Sequence, residues 1–153
     1  MLALTFSVGP MHFAIPSRRV SQIVPLVPLR QVAGVGAEIA GLLEIGTDVV
    51  PVVDLGMRLR GEPCAQRLST RIVVVLISHA EHRVELGLIA ENVTDLCPMD
   101  EGADVAAAGS ALEGELGGVA RLRGELMQWI EIDRILTEAQ RERVYQGILA
   151  RRK

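Results

Sequence analysis

Short apolar or alternating segments follow one another along most of the chain, with Gly, Pro and polar residues between them. They are four to eight residues long and rich in Val and Ile, which is typical of β-strands. No long helical crossover separates any pair, so we expect largely antiparallel pairing in a closed or strongly twisted sheet. The predicted strands are 2–8, 12–15, 40–45, 49–55, 71–78, 83–90, 93–97, 119–122 and 126–132.

End signals predict a short N-terminal helix over 16–23. Pro16 suits the first turn of a helix, where the missing N–H costs nothing. Pro25 disfavours the α conformation at Val24, so the helix is expected to end there.

A second helix is predicted from residue 137 to the C-terminus. Thr137 and Gln140 match a capping box, in which each side chain bonds the other residue's backbone N–H. The apolar stripe behind it is short and consists of Val144, Ile148 and Leu149. We therefore expect removal of 138–153 to leave the rest of the chain folded.

Two polar stretches, 62–69 and 100–118, are predicted to be loops. The first carries a Pro between two strands, and the second is rich in Gly, Ala and acidic residues without a sustained period. A connection of 19 residues is long for a compact domain, which is typical of a binding loop.

Composition favours one compact, β-rich unit. Hydrophobic residues make up 49% of the 153 positions and aromatic residues 3%, so the interior must consist mainly of Val, Ile, Leu and Ala. A chain of this length suits one domain, or two small subdomains that share a core.

Charge and hydropathy narrow the class of partner. The formal net charge is -3, and no stripe of Lys and Arg is interleaved with aromatics, so we expect no nucleic acid partner. No apolar run approaches the ~20 residues that span a bilayer. The first residues also lack the basic segment of a signal peptide. We expect a cytoplasmic protein without direct membrane insertion.

Candidate chemistry is sparse. Cys64 and Cys97 lie far apart without ligand spacing, so both are expected to be free thiols. His79 and His82 form an H-x-x-H motif that could bind metal, but they would point to different faces of an extended chain, and a polar hairpin turn is favoured. The acidic residues at 91–115 do not follow the ligand spacing of an EF-hand loop, and no phosphate-binding glycine motif occurs, so we predict neither a metal nor a cofactor.

One motif suggests catalysis. V-V-D-L-G at 52–56 is similar to the apolar-apolar-Asp-[Thr/Ser]-Gly signature of aspartic proteases. That chemistry needs two carboxylates sharing a proton, steadied by a hydroxyl after each Asp. Leu55 has no hydroxyl, and one motif would require a symmetric dimer. A small β-barrel hydrolase is therefore a weak alternative.

Residues 41–55 read G-L-L-E-I-G-T-D-V-V-P-V-V-D-L. This string closely resembles the central signature of the CheW-like coupling family, which reads G-[VI]-[IL]-N-[LY]-R-G-x-[VI]-[LIV]-P-V-[VI]-[DN]-L. Other family features keep their order around it, so the resemblance covers residues 1–136. They are F-S-V-G at 6–9, A-I-P at 14–16, V-S-Q-I at 20–23, L-G-L-I-A-E-N-V at 86–93, G-V-A-R-L at 118–122 and I-E-I-D-R-I-L at 130–136.

The resemblance implies an all-β fold of two intertwined five-stranded SH3-like β-barrels, with a short N-terminal helix and a C-terminal helix. A CheW-like domain would span 1–136, with one subdomain at about 7–71. The other subdomain would combine about 1–6 with 72–136, and 137–153 would form the C-terminal helix.

Family members are non-catalytic adaptors of bacterial chemosensory signalling. The resemblance therefore implies two partners, the cytoplasmic tip of a methyl-accepting chemoreceptor and the regulatory domain of a histidine kinase. It also implies a cytoplasmic location with recruitment to membrane-associated receptor arrays, and no enzymatic activity.

Carried over by position, the resemblance places the receptor- and kinase-binding residues on the first helix and on the strand from residue 41. They are Val20, Gln22, Gly41, Leu43, Ile45, Gly46 and Thr47. Core packing remains an alternative for Val20, and a bulge or tight packing remains one for Gly41.

The chain departs from the family at 46–47, where it has Gly-Thr in place of Arg-Gly. An arginine expected to make polar contacts with the receptor or kinase is therefore absent. Either the partner has changed in step, or the chain is a specialised paralogue. The segment R-L-S-T-R at 67–71 resembles the sequence of the family branch that serves surface-sensing pathways, which control cyclic-di-GMP. An auxiliary CheW-like protein of such a pathway is the alternative function.

Overall fold

The computed structural model describes residues 2–98, 104–106, 116–122 and 124–151. Strands dominate this part of the chain: β1 (Leu2–Val8), β2 (Met11–Pro16), β3 (Val20–Pro25), β4 (Gly41–Ile45), β5 (Asp48–Asp54), β6 (Arg71–His79), β7 (His82–Pro98), β8 (Asp104–Ala106), β9 (Leu116–Leu122) and β10 (Glu125–Ile130). Two α-helices, α1 (Leu55–Arg60) and α2 (Glu138–Arg151), and two 3-10 turns, Ser17–Arg19 and Ile132–Arg134, complete it.

The strands form two five-stranded barrels that share β7. Barrel 1 has the order β3-β6-β7-β5-β4, and all its pairs are antiparallel except β5 with β7. Barrel 2 has the order β7-β1-β2-β10-β9, with the short β8 beside β9 and a parallel pair between β2 and β10. The predicted all-β fold of two intertwined SH3-like barrels is therefore confirmed.

The subdomain limits drawn from the resemblance stay a prediction. Strand pairing groups β2 with β1 and β10, and it groups β6 with β3 and β7. A subdomain and a hydrogen-bonded sheet need not share their limits, so the pairing alone does not decide the division at about 7–71 and 1–6 plus 72–136.

A bend in β7 lets this strand serve both barrels. Up to Ala90 it pairs with β6, and from Glu91 onward it pairs with β1. Asn92 lies at the bend with φ 51°, and the β1–β7 register shifts beside it. Its side-chain amide donates to Ser7 Oγ over 2.6 Å, and Ser69 Oγ donates to its carbonyl oxygen over 3.3 Å. Both hydrogen bonds fix the bend.

β6 explains why the core needs so many apolar residues. Val73 and Val75 face the main cluster, which also contains residues of barrel 2 and of α2. Ile72 and Val74 face a second cluster inside barrel 1. Because alternate side chains point to opposite faces, a strand buried on both faces must be apolar throughout.

The helix predicted over 16–23 is wrong. Ser17–Arg19 form a single 3-10 turn without a capping side chain, and the chain then enters β3. β-branched Val20, Ile23 and Val24 fit a pleated strand better than a helix. Pairing with β6 satisfies the backbone of this segment, and that tertiary contact outweighs the local proline signals.

The structure differs from the predicted elements in a few other places. α1 was missed, and the strands predicted at 83–90 and 93–97 are one continuous strand, β7. The loop predicted at 62–69 is confirmed. Of the loop predicted at 100–118, residues 104–106 and 116–118 belong to β8 and β9. Its remaining residues lie outside the described part of the chain.

α2 is part of the core. The predicted capping box is confirmed: Thr137 N donates to Gln140 Oε1 over 2.8 Å, and Gln140 N donates to Thr137 Oγ1 over 3.1 Å. Val144, Tyr145 and Ile148 are buried in the main cluster. That the barrels stay folded without residues 138–153 stays a prediction, but the burial of these three side chains shows that the helix packs into the core.

We predict that Ile148→Ala lowers the free energy of unfolding by about 2–5 kcal/mol, because it opens a cavity in the main cluster. Gln146→Ala on the exposed side of the same helix is the matched control, with a change within about 0.5 kcal/mol. Urea unfolding of both variants is the measurement. Equal stability of the two would show that α2 does not support the core.

Candidate functional site

The residues predicted to bind a receptor or kinase lie at the two edges of barrel 1. Val20 and Gln22 are on β3, and the other five are on β4 or in the turn that follows it. β3 and β4 are the first and last strands in the order of this barrel. Side chains from both strands nevertheless pack in the same cluster inside it, which contains Leu43 of β4 and is contacted by Val24 of β3. The structure thus brings the predicted residues to one barrel.

On β3, the residues differ in accessibility. Val20 is half-buried and packs against the main cluster, so its packing alternative has structural support. Gln22 is exposed, and its neighbour Ile23 leaves 39% of its surface accessible. Of the two predicted residues on β3, Gln22 is therefore the one fully available to a partner.

On β4, the predicted residues mostly face inward. Gly41 and Leu43 are buried, and Ile45 is half-buried against the cluster inside barrel 1. Leu43 and Ile45 therefore support the barrel from within, and any effect of changing Leu43 on binding would pass through the fold.

Gly46 and Thr47 form the exposed two-residue loop between β4 and β5, where Ile45 pairs with Asp48. Gly46 has φ 59°, and a Cβ atom at this position would have nothing within 4 Å. A positive φ at the first position of a two-residue hairpin loop favours Gly. The departure from the family's Arg-Gly therefore coincides with a position where this backbone suits glycine.

A segment that the sequence analysis missed covers the outer edge of β4. We call residues 26–31 the strap. Arg30 and Leu42 exchange two backbone hydrogen bonds of 2.9 Å, and Gln31 Nε2 donates to Ala40 O over 2.9 Å. Pro25 and Pro28 could have indicated this segment in the sequence. Closely spaced prolines favour an extended chain with few backbone N–H donors.

Two clefts lie along the strap and share Val27, Pro28, Leu29 and Gln31. One has a volume of about 420 Å³, and β4 forms its other wall. The other, of about 660 Å³, is closed by the loop before β6 and contains the fully exposed Leu68. Exposed apolar side chains beside clefts are typical of protein contact surfaces.

Asp54 of the protease-like motif has a structural role. Its carboxylate caps α1 by accepting from Gly56 N over 2.8 Å and Met57 N over 3.3 Å. It also accepts from Cys64 N over 3.1 Å. A Cβ at Gly56 would lie 2.4 Å from Glu62 O, so the glycine permits close approach of the loop. The Asp and the Gly of the motif thus both have a structural role in the fold.

The His79–His82 segment is a hairpin turn, as predicted, with Ala80 and Glu81 at positive φ. The two histidines are cross-strand partners and point to the same face, contrary to the extended-chain argument. They line a cleft of about 450 Å³ beside Tyr145. Across the residues with described positions, no three His, Cys, Asp or Glu side chains could hold a metal ion together.

Both cysteines are free, as expected, and both are buried. Burial raises the pKa of the Cys64 thiol far above its ordinary value, and the nearby Asp54 carboxylate raises it further. The thiol donates to Ile89 O over 3.4 Å. A thiol that stays protonated is a poor nucleophile, so Cys64 is a packing residue.

Taken together, the fold and the site are those of an all-β domain of two SH3-like barrels with apolar clefts at its surface. The chain belongs to the CheW-like domain family, whose model matches residues 2–140. Its structure is similar to that of the scaffolding protein TtCheW from Thermoanaerobacter tengcongensis, with a TM-score of 0.74 and 19% identity over 89% of this chain and 87% of that one. No curated protein matched the chain.

None of the helices within the described ranges is long and apolar enough to cross a bilayer.

Asp54→Ala should lower the free energy of unfolding by roughly 2–3 kcal/mol, because α1 loses its cap and the Cys64 N–H loses its partner. Asp54→Asn retains an oxygen acceptor at the cap and should lose less than about 1 kcal/mol. Chemical denaturation of the two variants checks this difference. If both lose the same amount, the negative charge rather than the capping geometry matters.

Proposed function

We propose that this chain is a non-catalytic scaffold that couples the cytoplasmic tip of a methyl-accepting chemoreceptor to the regulatory domain of a histidine kinase. The observation that carries the proposal is its membership of the CheW-like family over residues 2–140. The similar structure is itself a scaffolding protein. The chain would act in the cytoplasm, recruited to membrane-associated receptor arrays.

The receptor tip would bind along the exposed edge strand β3 and the β4–β5 turn. Gln22 and Ile23 offer an exposed polar and an exposed apolar group on opposite faces of β3, and Gly46 and Thr47 leave the turn without bulky side chains. A receptor tip presents an amphipathic helical face, which needs an apolar surface with little side-chain obstruction.

The kinase regulatory domain would bind at the end of barrel 1. There the fully exposed Leu68 and the 40% exposed Val27 stand beside the larger cleft. Burial of such side chains is favourable by roughly 1.5–3 kcal/mol each, which is sufficient to anchor an interface when several act together.

The absence of catalysis is part of the proposal, and the site chemistry supports it. The carboxylate of Asp54 is bonded to three backbone N–H groups, and Cys64 is buried and protonated. Neither group is free to attack or activate a substrate. The hydrolase alternative therefore has little support from the residues that suggested it.

Direct binding tests the proposal. The purified chain should bind both a receptor-tip fragment and the kinase regulatory domain of its own organism, measured by titration calorimetry. A folded sample that binds neither would contradict the scaffold function.

Gln22→Arg should weaken receptor-tip binding by about tenfold, because it places bulk and charge at the proposed contact. The unfolding free energy should change by less than about 0.5 kcal/mol, since the residue is exposed. His12→Arg, at an exposed position on β2 in barrel 2, is the control. If both substitutions leave the affinity unchanged, β3 is not the receptor-binding surface.

Gly46→Arg should not strengthen binding to the receptor or kinase of the same organism. The arginine would lie at φ 59°, which costs a non-glycine residue about 1–2 kcal/mol, and a co-adapted partner would have no acceptor for it. Binding to a conventional partner that keeps the acceptor should improve.

Gly46→Asn is the control for the backbone, because Asn tolerates the left-handed conformation. Titration calorimetry of both variants against both sets of partners measures the effect. An improvement of roughly tenfold with the natural partner would contradict the specialised-paralogue interpretation. The assignment to a surface-sensing cyclic-di-GMP pathway stays a prediction.

A further inference from the structure

Gly41 lies directly under the strap. A Cβ atom at this position would be 2.6 Å from Leu29 Cβ, 3.0 Å from Gln31 Nε2 and 3.2 Å from Arg30 O. Non-bonded carbon atoms prefer a separation of about 3.5–4.0 Å, so the first distance cannot be accommodated without movement. The φ of Gly41 is not in the positive range. Glycine is therefore needed here for space and not for backbone conformation.

The strap is attached next to this glycine. Arg30 and Leu42 bond each other through both backbone groups, and Gln31 bonds Ala40 O. The residues that bond the strap, Ala40 and Leu42, lie on either side of Gly41 in sequence. A side chain at position 41 would therefore push the strap away from β4 and lengthen all of these hydrogen bonds together. Gln31 could rotate, but the backbone at Leu29 and Arg30 would have to shift.

The surface that a partner meets at this edge belongs to the strap. Gly41 is buried, whereas Val27 is 40% exposed and lines both clefts. A partner cannot touch Gly41 unless the strap first moves. We propose that Gly41 is a positioning residue: it seats the strap on β4, and it affects partner binding by shaping the strap surface. The binding part of this inference rests on the proposed function.

The first measurement needs no partner. Hydrogen exchange of the Arg30 and Leu42 amides should accelerate by about tenfold or more in Gly41→Ala, because both lose their acceptor when the strap moves. Exchange at Val74, in the centre of β6, should stay the same. Adding Leu29→Gly removes the atom of closest approach and should return exchange to the rate of Leu29→Gly alone, which is the reference because Leu29 also packs on the cluster inside barrel 1. Gly147→Ala is the control for a new methyl group, because the φ of Gly147 is not positive and the nearest atom to its new Cβ would be 4.0 Å away.

The second measurement is affinity for the receptor tip and the kinase domain. Gly41→Ala should weaken binding of at least one of them by about tenfold, and the double variant should return to within about threefold of Leu29→Gly alone. Rescue by removal of a side chain elsewhere is not expected if Gly41 itself touches the partner.

Each outcome bears on the inference. Unchanged exchange of Arg30 and Leu42 in Gly41→Ala would overturn it, whatever the binding result. Restored exchange without restored affinity would also overturn it, in favour of direct contact by Gly41. If the wild-type chain binds neither partner, the proposed function fails, and the exchange result alone decides whether Gly41 seats the strap.

Discussion

β7 has to form hydrogen bonds in two barrels that face different directions, and a regular strand cannot do so without a bend. Asn92 provides the bend with a positive φ, a conformation that Asn tolerates better than most residues. Its side chain is held by Ser7 of β1 and Ser69 of the loop before β6, so both barrels contribute to the same joint. The mutual position of the barrels, and hence the main cluster between them, depends on this joint.

The C-terminal region is tied to the same unit. Arg19, beside β3, donates to Leu76 O of β6 and to the carboxylate of Asp133 over 2.7 Å. Burial tends to raise the pKa of Asp133, but the hydrogen bonds from Arg19 and from Ser78 N outweigh it, and the pKa lies below its usual value. This network positions the turn before α2, from which Tyr145 reaches Glu85 O.

In barrel 1, the residues that fill the interior are different from those that face solvent. Leu43 and Ile45 fill the interior, and Gly41 lies beneath the strap, whereas Gln22 and the β4–β5 turn face solvent. The residues proposed to bind a partner along β4 and its turn therefore include some that shape the surface from within and some that form it. This distinction matters for the proposed scaffold function, because binding partners would recognise the shape of a surface.

The sequence by itself predicted most strands and the capping box at Thr137, because period-two patterning and capping depend on near neighbours. It failed where distant contacts decide. Residues 16–23 carry helix signals, but the second half of this segment pairs with β6 and forms strand β3. The short stripe of α2 gave no sign that the barrels would bury it. Tight packing at Gly41 was an open alternative, but the segment that covers it was not predicted, since only the folded chain brings Leu29 onto β4.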